Sequence, residues 1–261
     1  MRARLLDAEG AVITSAESGD GIGQIDGGHE AAFERLIAAW PVGPDTPAIM
    51  AGMIGSRQGW HEAAYIPCPA SPQGLGASLL RFNGSHGRPF AIVPGLRLDV
   101  PSRDGDVMRG EETQMIGVID REPGFTGTAI LPGTHSKWVR IEAGVIVDFQ
   151  TFITGELFDL LAHKSFLRHS VAEGDGDPAE TAEFTLAVQR VAGEGLPFLN
   201  ALFSVRARQL LLDVDKRTNL AYLSGIAIAG EVAAALTVQS LRPGTAIRIV
   251  ASAALARAYR K

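Results

Sequence analysis

The chain has 261 residues, 46% hydrophobic and 20% charged, with a formal net charge of −5. This is ample for one large domain or two of ordinary size, and with Lys and Arg scattered along the chain it excludes an electrostatic nucleic-acid surface. The single cysteine, Cys68, excludes an internal disulfide and fits a reducing cytoplasm, and with neither an apolar leader nor an uninterrupted apolar run of about 18 residues, no signal peptide and no membrane span are expected.

In chain order, residues 3–6 and 11–14 read as strands around a turn at Asp7-Ala8-Glu9-Gly10. Residues 19–28 form a loop rich in glycine and acid. Residues 29–40 are helical, with Phe33, Leu36, Ile37 and Trp40 on one face, and the 41–47 segment breaks the helix. Residues 48–50 are a short buried strand leading into Gly52-Met53-Ile54-Gly55-Ser56-Arg57-Gln58-Gly59-Trp60, whose three glycines fold a loop tightly. A Pro-rich loop with Cys68, a strand at 90–93 and a helix at about 111–119 follow.

After Phe125 the period changes. Residues 128–131 and 138–141 are strands, and a turn at Glu142-Ala143-Gly144 leads to a third at 145–149. The first connection, Leu131-Pro132-Gly133-Thr134-His135-Ser136-Lys137-Trp138, gathers backbone amides, two hydroxyls and a cation, a set that suits an anion such as phosphate. An ordinary polar hairpin turn fits equally. A helix after Thr154 carries Glu156 in its first turn, where a carboxylate suits the dipole. Asp177-Pro178-Ala179-Glu180 is a helix start, and that helix runs to about Ala192. Helices at about 197–212 and 219–238 follow. The latter holds Gly225 and Gly230, small residues that let a helix approach a sheet or a nucleotide, with plain tight packing the preferred reading. A strand at 245–251 and a helix from Ser252 end the chain. The 5–13 segment echoes 139–146, as strand, acid–Ala turn with Gly, strand.

The adjacent carboxylates Glu111 and Glu112 suit a general base or a metal ligand, or simply a dipole-compensating helix start. Adjacent helical residues point about 100° apart, so one of the two faces a site.

Met50-Ala51-Gly52-Met53-Ile54-Gly55-Ser56 with Gly59-Trp60, Met108-Arg109-Gly110-Glu111-Glu112-Thr113-Gln114, the Leu131-to-Trp138 motif and Thr154-Gly155-Glu156-Leu157 together resemble the 2-dehydro-3-deoxygalactonokinase family over nearly the whole chain. The resemblance implies an α/β, two-domain sugar-kinase fold of the actin, hexokinase and Hsp70 type, with mixed sheets flanked by helices, domains at 1–120 and 121–261, and a ligand cleft between them. It implies ATP-dependent phosphorylation of 2-dehydro-3-deoxy-D-galactonate at its 6-hydroxyl, with ATP and Mg2+ as cofactors. Glu111 then falls where related kinases carry the base, with Glu112 as runner-up. Gly133 and Thr134 resemble a phosphate loop, and His135 and Lys137 bind phosphates or the substrate carboxylate. Gly225 and Gly230 approach the nucleotide on this reading. Gly55, Ser56, Arg57 and Trp60 take the sugar acid, Arg57 through its carboxylate, and Glu156 takes substrate hydroxyls. No residue is assigned as a metal ligand. The partners implied are the sugar acid and ATP, with no nucleic acid and no membrane, a cytoplasmic location, and a homodimer as an admissible assembly.

The family pattern opens with a strand and an Asp-bearing first phosphate loop, whereas Met1-Arg2-Ala3-Arg4 aligns just after it. It also continues past Tyr259-Arg260-Lys261, and has a glycine where Ala251-Ser252 stand. On that ground the expectation is a catalytically weak or inactive chain unless its start is misassigned, and the alternative is a non-catalytic relative that binds a sugar acid or a protein. A hydrolase using Ser136 and His135 is disfavoured, because adjacent strand residues point to opposite faces.

Overall fold

The computed structural model describes residues 1–19, 25, 27–99, 104–239, 241 and 243–261, and most of the expected glycine-rich loop at 19–28 lies outside them. The chain divides into two units, Met1–Arg121 and Glu122–Lys261.

In the first unit, β1 (Arg2–Leu6) and β2 (Val12–Glu17) pair antiparallel in a sheet of their own. The turn closes because Asp7 Oδ1 accepts the amides of Glu9 at 3.1 Å and Ala11 at 2.7 Å, and Gly10 takes φ +84°. Both are conformations that Asp and Gly favour. α1 (His29–Ile37) stops short of the expected Trp40. Pro41 disfavours helical geometry at the residue before it, and the chain tightens instead, with the Trp40 amide on the Ile37 carbonyl at 2.8 Å. Buried Arg88 fastens the next segment, donating to Glu34 at 2.8 Å and to the carbonyls of Gly43 and Thr46 at 3.0 and 2.8 Å.

β3 (Ala48–Met50), β4 (Ile66–Pro67), α2 (Pro72–Ala77), β5 (Leu80–Asn83), β6 (Pro89–Ile92), β7 (Leu96–Leu98) and β8 (Asp106–Met108) lead to α3 (Glu111–Arg121). Two mixed sheets form. β6 has β3 parallel on one side and β5 antiparallel on the other, and β7 has β4 parallel and β8 antiparallel. β4, β5, β7 and β8 are too short to show a period in the sequence. α2 carries a Ser71 cap and Pro72 at its start, but Gly74 and Gly76 lower its propensity and hide it. Phe90, Ile92, Leu96 and Met108 on the strands and Met115 and Ile119 on α3 are buried.

The second unit is built on a mixed four-stranded sheet in the order β11-β10-β9-β12. β9 (Gly127–Leu131), β10 (Ser136–Glu142) and β11 (Val145–Phe152) run antiparallel, and β12 (Ile247–Ile249) joins β9 in parallel. The echo with the first hairpin holds in the backbone, since Gly144 at φ +77° closes the β10–β11 turn as Gly10 closes the first. α4 (Thr154–Asp159) follows β11 directly and continues into a π turn, Leu160–Lys164. The expected helix start at Asp177 is a two-step one. Asp177 caps a 3-10 turn, Pro178–Glu180, and the Thr181 hydroxyl then caps α5 (Ala182–Val188) by accepting the Phe184 amide. A π turn, Gln189–Gly193, ends it one residue beyond the expected Ala192.

α6 (Phe198–Leu211) and α7 (Lys216–Val238) come next, with α8 (Ala253–Ala258) after β12. α7 is long and apolar enough to cross a bilayer by length and composition. Here it is the core helix of the unit. Leu220, Tyr222, Leu223 and Ile226 are buried against residues of α5 and α6, and its polar Asn219 and Glu231 are buried in hydrogen bonds. The protein is thus an α/β molecule with mixed sheets flanked by helices.

Candidate active site

The acidic start of α3 folds back on itself. Glu111 Oε2 accepts the Arg109 amide at 3.0 Å, and Glu112 Oε2 accepts the Gly110 amide at 2.6 Å while its Oε1 takes the Thr113 hydroxyl at 3.0 Å. The Gly110 amide, at the cap position, is one that a helix start leaves unpaired. The two carboxyls nevertheless differ. Glu112 is fully buried and Glu111 only partly. Burial pushes the Glu112 carboxyl above the usual glutamate range, an effect the Gly110 amide partly offsets. Glu111 is the one of the pair that a ligand can reach.

The 52–60 loop lies against this start. Gly110 sits at φ +112°, and a Cβ there would come within 3.2 Å of Gly52 Cα. A Cβ on Gly55 would stand 2.8 Å from Arg109 Nη1, and one on Gly59 would meet the Ile54 carbonyl. Arg109 is a residue to which the sequence assigns no role. Its Nη2 donates to the Ala63 carbonyl at 2.7 Å and its Nε to the Tyr65 hydroxyl at 3.3 Å, with the guanidinium 4.2 Å above the Tyr65 ring. It clamps the end of the loop to the start of α3.

The four loop residues expected at the sugar acid divide. Gly55 provides that close approach. Ser56 is buried and donates to the Met53 carbonyl at 2.8 Å. Trp60 meets Phe82 and Phe90 edge-on at 5.0 and 4.9 Å and anchors an aromatic cluster. Arg57 projects into solvent and pairs with Glu62 at 3.1 Å, an exposed pair worth about 0–1 kcal/mol.

In the second unit the 132–135 turn connects β9 to β10, and Gly133, Thr134 and His135 are all exposed. α4 presses directly on it. The Glu156 amide donates to the Thr134 carbonyl at 3.0 Å, and the Glu156 side chain meets His135 Nε2 at 2.6 Å. Gly155 makes that contact feasible, because a Cβ there would lie 2.4 Å from the Gly133 carbonyl oxygen. Gly133, Thr134, His135 and Glu156 are therefore one constellation, although the sequence assigns Glu156 to the sugar acid, Gly133 and Thr134 to phosphate, and His135 to phosphate or the substrate carboxylate.

Alternation along β10 separates the rest of the motif. Lys137 is buried and donates to the Thr151 hydroxyl at 2.7 Å. On the opposite face, the Ser136 hydroxyl and the Trp138 indole N–H both donate to Glu231 Oε1 at 2.7 Å. Ser136 and His135 thus have different partners, and no nucleophile–base pair forms between them. Glu231 and Tyr259, whose hydroxyl donates to Glu231 Oε2 at 2.7 Å, are missed by sequence reasoning. Their one signal is a lone Glu on an otherwise apolar stretch of helix.

The glycines of α7 serve helix packing. A Cβ at Gly225 would stand 2.7 Å from the Phe184 carbonyl oxygen, and one at Gly230 would stand 2.5 Å from the Phe198 ring. Among the described residues no group of three or more His, Cys, Asp or Glu is placed to hold a metal ion. A cavity of about 320 Å³ in the second unit, lined by His163, Arg168, His169, Glu173 and Leu220 among others, includes none of these candidates.

Comparison with known proteins agrees with the motif reading. The profile of the 2-keto-3-deoxy-galactonokinase family matches residues 1–261. A Rhizobium meliloti protein named as a probable 2-dehydro-3-deoxygalactonokinase is 37% identical over 257 residues, covering 98% of this chain and 83% of the relative. The Escherichia coli 2-dehydro-3-deoxygalactonokinase is 36% identical over 224 residues, covering 85% and 72%. A Sinorhizobium meliloti crystal structure, described as a candidate 2-dehydro-3-deoxygalactonokinase, superposes with a TM-score of 0.87 at 34% identity, covering 99% of this chain and 92% of that one. With its whole length matched and its relatives this similar, the chain belongs to the 2-keto-3-deoxy-galactonokinase family.

Proposed function

We infer that this chain is a sugar-acid kinase that transfers a phosphoryl group from ATP to 2-dehydro-3-deoxy-D-galactonate, with the 6-hydroxyl as acceptor and 2-dehydro-3-deoxy-6-phospho-D-galactonate as product. The observation that carries this reading is the family match over residues 1–261, joined to relatives named for that kinase activity. No observation favours the non-catalytic alternative. Under this reading the two units are the lobes of a sugar-kinase fold of the actin, hexokinase and Hsp70 type, working in the cytoplasm on small metabolites.

Phosphoryl transfer asks the protein for positioning and for compensation of charge. Glu111 is the proposed general base. Its accessible carboxyl is steadied by the Arg109 amide and would orient the acceptor hydroxyl and take its proton. Glu112 is better placed as a buried prop that shapes the helix start. The exposed Gly133 and Thr134 would receive the phosphates through backbone amides and a hydroxyl, with His135 beside them, its Nε2 held by Glu156 at 2.6 Å. Arg57 is the remaining candidate for the substrate carboxylate, being the one cationic side chain of its loop and exposed to solvent. Mg2+ fits as a cation carried on the nucleotide, since it is held largely by phosphates and water and asks the protein for only one or two oxygens. When bound it supplies charge neutralisation at the phosphates.

The test is ADP release by the purified chain with ATP and 2-dehydro-3-deoxygalactonate, with the product identified by mass. Absence of turnover with saturating substrates rejects the reading. In the Glu111→Gln variant kcat falls by about 10²–10⁴-fold with KM values near wild type. Full activity in that variant moves the base elsewhere.

A further inference from the structure

We infer that Glu231 is a positioning residue for the phosphate turn, fixing the start of β10 and with it the presentation of Gly133 and Thr134 to ATP. This rests on the reading of that turn given above.

The side chain belongs to α7, and the residue is 4% exposed. Its three donors come from the first and third residues of β10 and from the residue that closes α8. One carboxyl therefore ties the long core helix, the strand that leaves the turn, and the last helix. The surroundings are apolar, with Ile130, Phe152, Val232, Ala235 and Ile249 packed around Trp138 and Tyr259. Few competing waters reach such a place, and its hydrogen bonds are correspondingly directional.

None of the three donors is charged, and no cation pairs with Glu231 among the described residues. Burying a carboxylate away from a cation costs several kcal/mol. An apolar residue could fill a helix–sheet interface without that cost, so stability alone is a poor reason for a glutamate here. What the carboxyl adds is direction, since it fixes Ser136 and Trp138 at a set distance from α7. Burial, with the Glu231 charge beside it, pushes the Tyr259 phenol up, so that the hydroxyl remains a donor.

Two further supports converge on the same turn. Lys137 is held to Thr151 on the other face of β10, and α4 presses on Gly133 and Thr134 through the space left by Gly155. The exposed tip is thus presented from a base restrained on both faces. This is how a site is preorganised on rigid elements.

The experiment compares Glu231→Gln and Tyr259→Phe with wild type. Gln preserves volume and an acceptor for Ser136 and Trp138, but turns a donor toward Tyr259. The kcat/KM for ATP is expected to fall roughly tenfold in Glu231→Gln and less in Tyr259→Phe, with KM for the sugar acid within about twofold. If melting temperature falls while both substrates keep their wild-type constants, or if both substrates lose equally, the inference is overturned. Should Glu231→Gln fail to fold, Tyr259→Phe and Ser136→Ala carry the same comparison. Thr134→Ala separates the two readings. Unchanged ATP kinetics there remove the turn from phosphate binding. Weakened ATP use there, with Glu231→Gln unaffected, removes only the positioning role.

Discussion

Replacing Gly155 by Ala tests whether the 132–135 turn handles phosphate. Gly155 lies in the first turn of α4, where helix propensity alone favours Ala by about 1 kcal/mol. Its surroundings reverse the sign. The new Cβ would lie 2.4 Å from the Gly133 carbonyl oxygen, 2.8 Å from Thr134 Cα and 2.9 Å from the Gly133 carbonyl carbon, whereas ordinary contact begins at 3.4 Å. All three are backbone atoms, so no rotamer change relieves the clash, and the turn and α4 must separate by about 1 Å, the difference between 3.4 and 2.4 Å. Overpacking of this kind costs about 1–3 kcal/mol, leaving a net loss of up to about 2 kcal/mol after the propensity gain. Displacement of a phosphate-handling loop by about 1 Å is worth up to about 10²-fold in rate. The assay is steady-state ADP release at varied ATP, beside a thermal melt. Gly117→Ala, in α3 with nothing within 4 Å of the added Cβ, is the control and should hold or raise stability with unchanged kinetics. A Gly155→Ala enzyme that melts lower but keeps kcat/KM for ATP within about twofold refutes the phosphate role of the turn.

Other perturbations address the remaining assignments. Glu112 has its carboxyl raised by burial, so its contribution to stability is full below the unfolded-state value and is lost as pH rises through the folded-state value. The melting temperature of Glu112→Gln should accordingly change less between acidic and neutral pH than that of wild type; identical profiles would show that another group governs that range. Gly225→Ala pushes a Cβ against the Phe184 carbonyl and should destabilise by about 1–3 kcal/mol while leaving KM for ATP unchanged. A selective rise in that KM would instead bring α7 to the nucleotide. Asp177 caps the Pro178–Glu180 turn and is held low by Arg257 at 2.6 Å. Asp177→Ala should cost about 1 kcal/mol, chiefly through the cap. The wild-type advantage is present above the unfolded-state value of that carboxyl and fades as pH falls through its lowered folded-state value. An unchanged melt at neutral pH would dismiss the cap.

Much of this molecule can be read from order alone. The β9–β10–β11 meander shows in apolar runs punctuated by Pro132-Gly133 and Ala143-Gly144, α3 shows by its acidic start and α7 by its length, although α7 begins at Lys216 behind an Asp215 cap rather than at about 219. The family follows from four motifs in sequence. Local pattern reaches that far because hairpin turns, caps and helix faces involve residues close together in the chain. Whether a side chain meets water, a ligand or another side chain is decided by what arrives from elsewhere. Glu111 and Glu112 are equivalent as letters, and only burial separates the accessible carboxyl from the raised one. Trp60 reads as a platform for a sugar, yet Phe82 and Phe90 come in from two other strands to take its ring. Lys137 reads as a phosphate cation, yet the pleat turns it inward to Thr151. Glu231 shows only as a lone acid on an apolar stretch, and its role does not, because its donors come from Ser136, Trp138 and Tyr259, residues distant in the chain. A buried carboxyl must find its donors wherever the packed elements bring them, and that choice is made by tertiary structure.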